Sequence, residues 1–347
     1  MALIHPATLA EVAAFAVPAL GSFARRGFAS NRRGIGDAAG AFNGNFNSIF
    51  PAAYQSVQTD IGLTYGGTML AAGTAPPVLT LTGSVAGVAV PIRVEATSSG
   101  ALGVWQGKVS YDGGSSFPQT FTSAATIPLT AGATGLTLNI AAGNATGPAD
   151  NFWLATCSAL ADQSGNAAHY SQATPANQAV ITPGLNGCPG LLLDGTNDDF
   201  GSTLSQPAPG TQKWCVFGVF KHITWNTNDV PFASRNTADG LTSSGVTPQM
   251  VFFNGSSIPA NNGATLGSWV EFEVELQNTA ADRLKLGTVT TTGIAGNAVL
   301  LNPRIGSLGG SRFSNMEFLA LVYVPGTPNF AAARAAVTAK YGVSVIV

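Results

Sequence analysis

Three carboxylates stand at alternate positions in Glu271-Phe272-Glu273-Val274-Glu275. On an extended strand, residues i, i+2 and i+4 point to one face. The three therefore form a row, with steps of roughly 6.6 Å at the usual rise per residue. Two carboxylates so placed can flank a glycosidic bond, one as nucleophile or base and the other as acid. The same residues also describe an ordinary strand: Val270, Phe272, Val274 and Leu276 make an apolar face, and the glutamates a solvated one. The solvated face is the expectation adopted, and with it a chain that is not an enzyme.

A second acidic group is Asp194, Asn197, Asp198 and Asp199. Their oxygens suit Ca2+, a hard cation that takes carboxylates and amide carbonyls. Asp and Asn in a tight loop also bond their own backbone, and that capping role is the one expected here. Cys157, Cys188 and Cys215 are odd in number and match no metal spacing. They are expected to be buried, reduced thiols. His5, His169 and His222 are too scattered for a metal site. No Ser-His-Asp arrangement, phosphate loop or HExxH is present.

The elements that must carry these groups are mostly strands. Val78–Gly83, Ile92–Ala96 and Leu136–Ile140 alternate with period two, as half-buried antiparallel strands do. Lys213–Lys221 is almost continuously apolar, as a strand covered on both faces must be. Arg283–Gly287 reads as the hairpin partner of Trp269–Leu276, so opposite charges should meet across that ladder. Phe330, Ala333, Val337 and Tyr341 form the stripe of a final helix, with Thr327 as N-cap, Pro328 at its first position and Gly342 past its end.

Two loops frame the region: Asp162-Gln163-Ser164-Gly165-Asn166, and the strand Leu191–Leu193 closed by Asp194-Gly195-Thr196-Asn197-Asp198. Together they resemble the opening of the concanavalin A-like (laminin G-like) jelly-roll domains of bacteriophage virion proteins and secreted bacterial proteins. The resemblance runs from about Phe152 to the C-terminus and implies a lectin-like sandwich. The glutamate row is similar to the catalytic strand of jelly-roll β-glucanases, Glu-x-Asp-x-(x)-Glu, but carries Glu in the middle place. Ser110-Tyr111-Asp112-Gly113-Gly114-Ser115-Ser116-Phe117 fits the Asp-box hairpin, in which the carboxylate ties up turn amides. The block around it resembles a small module of phage tail and virion-surface proteins.

The expected fold is therefore mainly β. Residues 1–75 form a docking arm with a short helix, residues 76–155 a small antiparallel β-domain, and residues 156–347 a jelly-roll sandwich with a short terminal helix. The arm starts with a capping box at Thr8-Leu9-Ala10-Glu11. It then carries Arg25, Arg26, Arg32 and Arg33, and Phe42, Phe46, Phe50 and Tyr54 at every fourth position. Aromatics so spaced are anchors for a partner surface.

Only 9% of the chain is charged, against an ordinary quarter or so, while 45% is hydrophobic. That suits surfaces buried against other subunits. A net charge of −2 gives no footprint for nucleic acid. Residues 13–20 make a poor signal peptide, since no Lys or Arg precedes them, and no run has the length of a membrane span. The resemblance then implies a virion structural protein, a head decoration or tail fibre component, assembled in the bacterial cytoplasm. Its partners would be other virion proteins, copies of itself and a host-surface glycan. The alternatives are a jelly-roll glycoside hydrolase and a secreted bacterial glycan-binding module.

Overall fold

The structure, a computed structural model, describes residues 55–60, 62–85, 88–130, 133–147, 151–202, 213–226, 229–234, 239–277, 281–296, 302–326 and 329–341. The capping box at Thr8, the four arginines and the four aromatics of the expected arm lie outside them.

The sequence with the longest apolar runs makes the centre. Trp214–His222 and Asn315–Pro325 pair antiparallel through the middle of one sheet and are buried along nearly their whole length. Around them the strand order is Val180–Leu185, Cys188–Asp194, Asn315–Pro325, Trp214–His222, Trp269–Leu276, Asp282–Leu286 and Val289–Gly293. Gln55–Gln58 also joins this sheet: it pairs with Ala320–Tyr323, along the edge that Cys188–Asp194 uses from Asn315 to Phe318.

A second sheet of eight short strands packs over the first. Its order is Leu63–Tyr65, Cys157–Leu160, Tyr170–Ser171, Phe200–Ser202, Arg304–Ile305, Phe232–Ala233, Gly240–Ser243 and Met250–Phe253. The two inner faces form a sandwich core. Phe232 of the second sheet stacks on Phe272 of the first at 5.4 Å and meets Tyr323 edge-on at 5.9 Å. Burying each such ring stabilises the fold by about 1.5–3 kcal/mol. The fold is thus mainly β, a sandwich of antiparallel sheets with one short C-terminal helix.

The outer face of the first sheet is covered as well. The helix Phe330–Tyr341 lays Phe330, Ala333, Val337 and Tyr341 against Cys215, Phe217, Val219 and Val322. Asn329 caps it, its Oδ1 accepting the Ala332 N–H at 3.1 Å. Thr327, Pro328 and Gly342 lie outside the described residues. Lys340, on the last turn, turns inward and is fully buried, its Nζ 2.8 Å from Asp60 and 2.7 Å from Gln58.

The small β-domain has its own five-stranded sheet, ordered Leu70–Ala72, Phe152–Leu154, Arg93–Ala96, Gln106–Ser110 and Gln119–Thr122. A three-stranded sheet, Leu79–Gly83, Leu136–Ile140 and Thr126–Pro128, closes over it. Trp105 and Trp153 stack at 5.7 Å in the core, and Trp153 Nε1 donates to the Pro77 carbonyl at 2.9 Å. The described end of the expected arm is woven into this frame. Gln55–Gln58, Leu63–Tyr65 and Leu70–Ala72 join the first sandwich sheet, the second, and the five-stranded sheet in turn.

Candidate functional site

The glutamate row is a row, but it is not solvated. Glu271 is 1% exposed and Glu273 0%, while Glu275 is partly covered. This corrects the expectation of an exposed polar face. Alternation shows that a strand has two faces and says nothing of what covers the second, and here the C-terminal helix covers it. Cross-strand charge pairing occurs as expected, with Glu273 opposite Lys285 and Glu275 opposite Arg283. Arg283 reaches Glu275 at 2.8 Å and Glu273 at 3.3 Å, and Lys213 reaches Glu275 at 3.3 Å. From the helix, Arg334 bonds the other oxygen of Glu273.

Glu271 is left poorest in partners: Lys285 Nζ stands 3.6 Å from its Oε1, and neither oxygen meets a donor at hydrogen-bonding geometry. Burial, and then the adjacent Glu273 carboxylate, push its carboxyl up to about 8, against the pull of Lys285 and Arg334. A carboxyl whose pKa is raised beside a second carboxyl is the arrangement an acid/base pair needs.

The acidic loop is closed on itself. Asp194 Oδ1 accepts the Thr196 and Asn197 N–H groups at 2.7 and 3.3 Å, and Asp198 Oδ2 accepts the Asp194 N–H at 3.1 Å. Asp199 Oδ2 takes Arg304 and Ser307, both at 2.5 Å, and its Oδ1 takes Gln172 at 2.7 Å. Burial, with Asp194 and Asp199 nearby, raises Asp198 to about 7. Among the described residues no three His, Cys, Asp or Glu side chains gather where a metal ion would sit. The carboxylates of this loop point at separate backbone and arginine donors. Asp162 works in the same way, accepting Ser164 and Ala168 N–H at 3.0 and 3.1 Å. The three cysteines are buried and none is in a disulfide.

An open groove lies elsewhere, on the outer face of the five-stranded sheet. It has a volume of about 400 Å³ and is lined by Arg93, Glu95, Lys108, Asn151 and Phe152. Register builds it: Glu95 sits opposite Lys108 on one side and Phe152 on the other. Arg93 and Lys108 contact Glu95 at 2.7 and 2.9 Å. Each cation also rests on an aromatic ring, Arg93 on Phe152 at 4.6 Å and Lys108 on Phe117 at 3.9 Å.

The Asp-box hairpin braces this groove. Asp112 accepts Ser110 Oγ at 2.7 Å, Ser116 N–H at 2.9 Å and Ser116 Oγ at 2.5 Å. Burial would raise its carboxyl, but these bonds outweigh that and hold it at about 2. The turn so fixed sets Phe117 under Lys108 and brings Gly114 against the Arg93 stem. A Cβ at Gly114 would meet Arg93 Cδ at 3.0 Å, at a φ of +111° that side chains rarely adopt. Sequence reading found the Asp-box and the alternation of Ile92–Ala96 but missed the groove. Its members are up to 59 residues apart, from Arg93 to Phe152, and only strand register joins them.

No protein-family model matches the chain, and no curated protein does. Solved structures with a similar fold include a GH54 α-L-arabinofuranosidase, at 16% identity over 80% of this chain and 64% of that one, with a TM-score of 0.42. The botulinum neurotoxin serotype G binding domain is 9% identical over 51% of this chain and 47% of its own, with a TM-score of 0.39. A Trypanosoma rangeli sialidase is 10% identical over 46% and 29%, with a TM-score of 0.33. The chain thus spans less than two thirds of each. These likenesses concern the fold alone. The expectation of a chain that is not an enzyme is corrected to this extent: glycosidases are among the solved structures of similar fold.

Proposed function

We propose that this chain is a carbohydrate-recognising β-sandwich protein. The observation that carries the reading is the groove on the five-stranded sheet. It is concave, open to solvent, and combines aromatic rings with convergent charged and amide groups, the mixture that fixes polyhydroxylated ligands. The test is binding of the full chain to an array of neutral and acidic oligosaccharides. Saccharide binding weakened by changes at Lys108 supports the reading, and an array without any bound saccharide overturns it.

Glycoside hydrolysis is the second reading, favoured by one observation: the buried carboxyls of Glu271 and Glu273 on one face of the strand Trp269–Leu276. In that reading the helix Phe330–Tyr341 must move to admit substrate. Release of reducing ends from a polysaccharide panel, lost in both Glu271→Gln and Glu273→Gln, is the expected result, and equal rates in wild type and variants would end it. The setting on a bacteriophage particle rests on the family resemblance of the two loops. Mass spectrometry of purified particles tests it: this chain is expected among their proteins, and particles lacking it would exclude a virion role.

A further inference from the structure

We infer that the groove takes a saccharide bearing a carboxylate, with Arg93 and Lys108 holding the acid group and Glu95 accepting sugar hydroxyls. The inference rests on the carbohydrate-binding reading and narrows it to a ligand class.

Charge is the first argument. The groove holds two cations and one carboxylate, so it carries a surplus of one positive charge in a chain whose net charge is −2. A single carboxylate group seated between Arg93 and Lys108 balances that surplus. A phosphate dianion would overshoot it and stand beside Glu95.

Donor geometry is the second. Arg93 turns Nε to Glu95, and among the described residues no protein group pairs with its two Nη atoms. The guanidinium lies on the Phe152 ring, which fixes its plane. A planar fork held in this way fits the two oxygens of a carboxylate. Lys108 uses one contact on Glu95 and keeps donors to spare. Both cations are positioned before the ligand arrives, by aromatic rings and by a shared carboxylate, so little side-chain freedom is lost on binding.

A carboxylate in the middle of an anion site would be a liability for a bare anion. For a sugar acid it is an acceptor for the hydroxyls next to the acid group. The volume of about 400 Å³ falls within the range of small-ligand sites, roughly 300–1,000 Å³.

The experiment is calorimetric titration of the full chain with trigalacturonate, with galactotriose as its neutral counterpart and with a short poly-glutamate peptide. Trigalacturonate is expected to bind at least about tenfold more tightly than galactotriose, with the difference shrinking as salt rises. Lys108→Met and Arg93→Lys should each weaken the acidic sugar about tenfold and leave the melting temperature close to wild type. Glu95→Gln raises the groove's surplus charge, so it should strengthen trigalacturonate and weaken galactotriose. Equal binding of both sugars, or weaker trigalacturonate with Glu95→Gln, overturns the inference and leaves the carbohydrate reading standing. Poly-glutamate binding as tightly as trigalacturonate overturns the saccharide class. Failure of both sugars to bind overturns the inference together with the reading beneath it.

Discussion

Single residues decide the pH behaviour of this protein. Glu271 and Asp198 are both raised by burial, to about 8 and about 7. In the unfolded chain both would ionise near pH 4. Between that pH and the folded values the native state holds more protons than the unfolded one, so stability falls as pH rises. The melting temperature should therefore be higher at pH 6 than at pH 9. Glu271→Gln should flatten that slope and stabilise the protein at pH 9 by about 5 kcal/mol at most, on a scale of about 1.4 kcal/mol per pKa unit. Thermal melts across this range check it, and an unchanged slope in the variant would show that Glu271 is not the group responsible. Asp112 is the opposite case. Its hydrogen bonds to Ser110 and Ser116 hold the Asp-box turn, so Asp112→Ala should cost about 1–2 kcal/mol. It should also loosen Phe117 under Lys108, which denaturant melts and sugar titration would both register.

At the scale of elements, the fully buried pair Lys340–Asp60 helps to pin the C-terminal helix. Lys340 and Asp60 are 2.8 Å apart, and neither is accessible to solvent. Asp60 remains raised by burial in spite of Lys340, so the pair only partly offsets its own desolvation. Removing one partner leaves a lone buried charge, and Lys340→Met should destabilise the fold by about 3–5 kcal/mol. Combining it with Asp60→Leu should recover much of that loss. A double variant as weak as the single one would mean that the helix is held by its apolar stripe and not by the pair.

At the scale of the molecule, the sandwich and the small β-domain share one strand-rich segment. Gln55–Gln58, Leu63–Tyr65 and Leu70–Ala72 close three different sheets within 18 residues. A chain beginning at residue 76 would lose the strands that pair at three sheets and the contacts of Asp60 and Gln58 with Lys340. It should fail to give a cooperative melt, where the full chain gives one. A sharp transition in the shortened chain would show that these strands are dispensable.

The sequence by itself determined the strands of the central sheet and the faces they turn to the core. Val216, Phe272 and Val274 declare this, because apolar alternation and continuous apolar runs are local signals. It determined the capping loops at Asp112, Asp162 and Asp194 for the same reason, since Asx chemistry acts over two to four residues. The tertiary structure decided what covers the other faces. Glu271 and Glu273 read as solvated because a glutamate that will be paired and buried looks the same in sequence as one that will be wet. Only the docking of the helix Phe330–Tyr341, 57 residues beyond Glu273, distinguishes them. The groove likewise exists only after register sets Glu95 between Lys108 and Phe152. Its chemistry belongs to pairings distant in the chain, which no local pattern encodes.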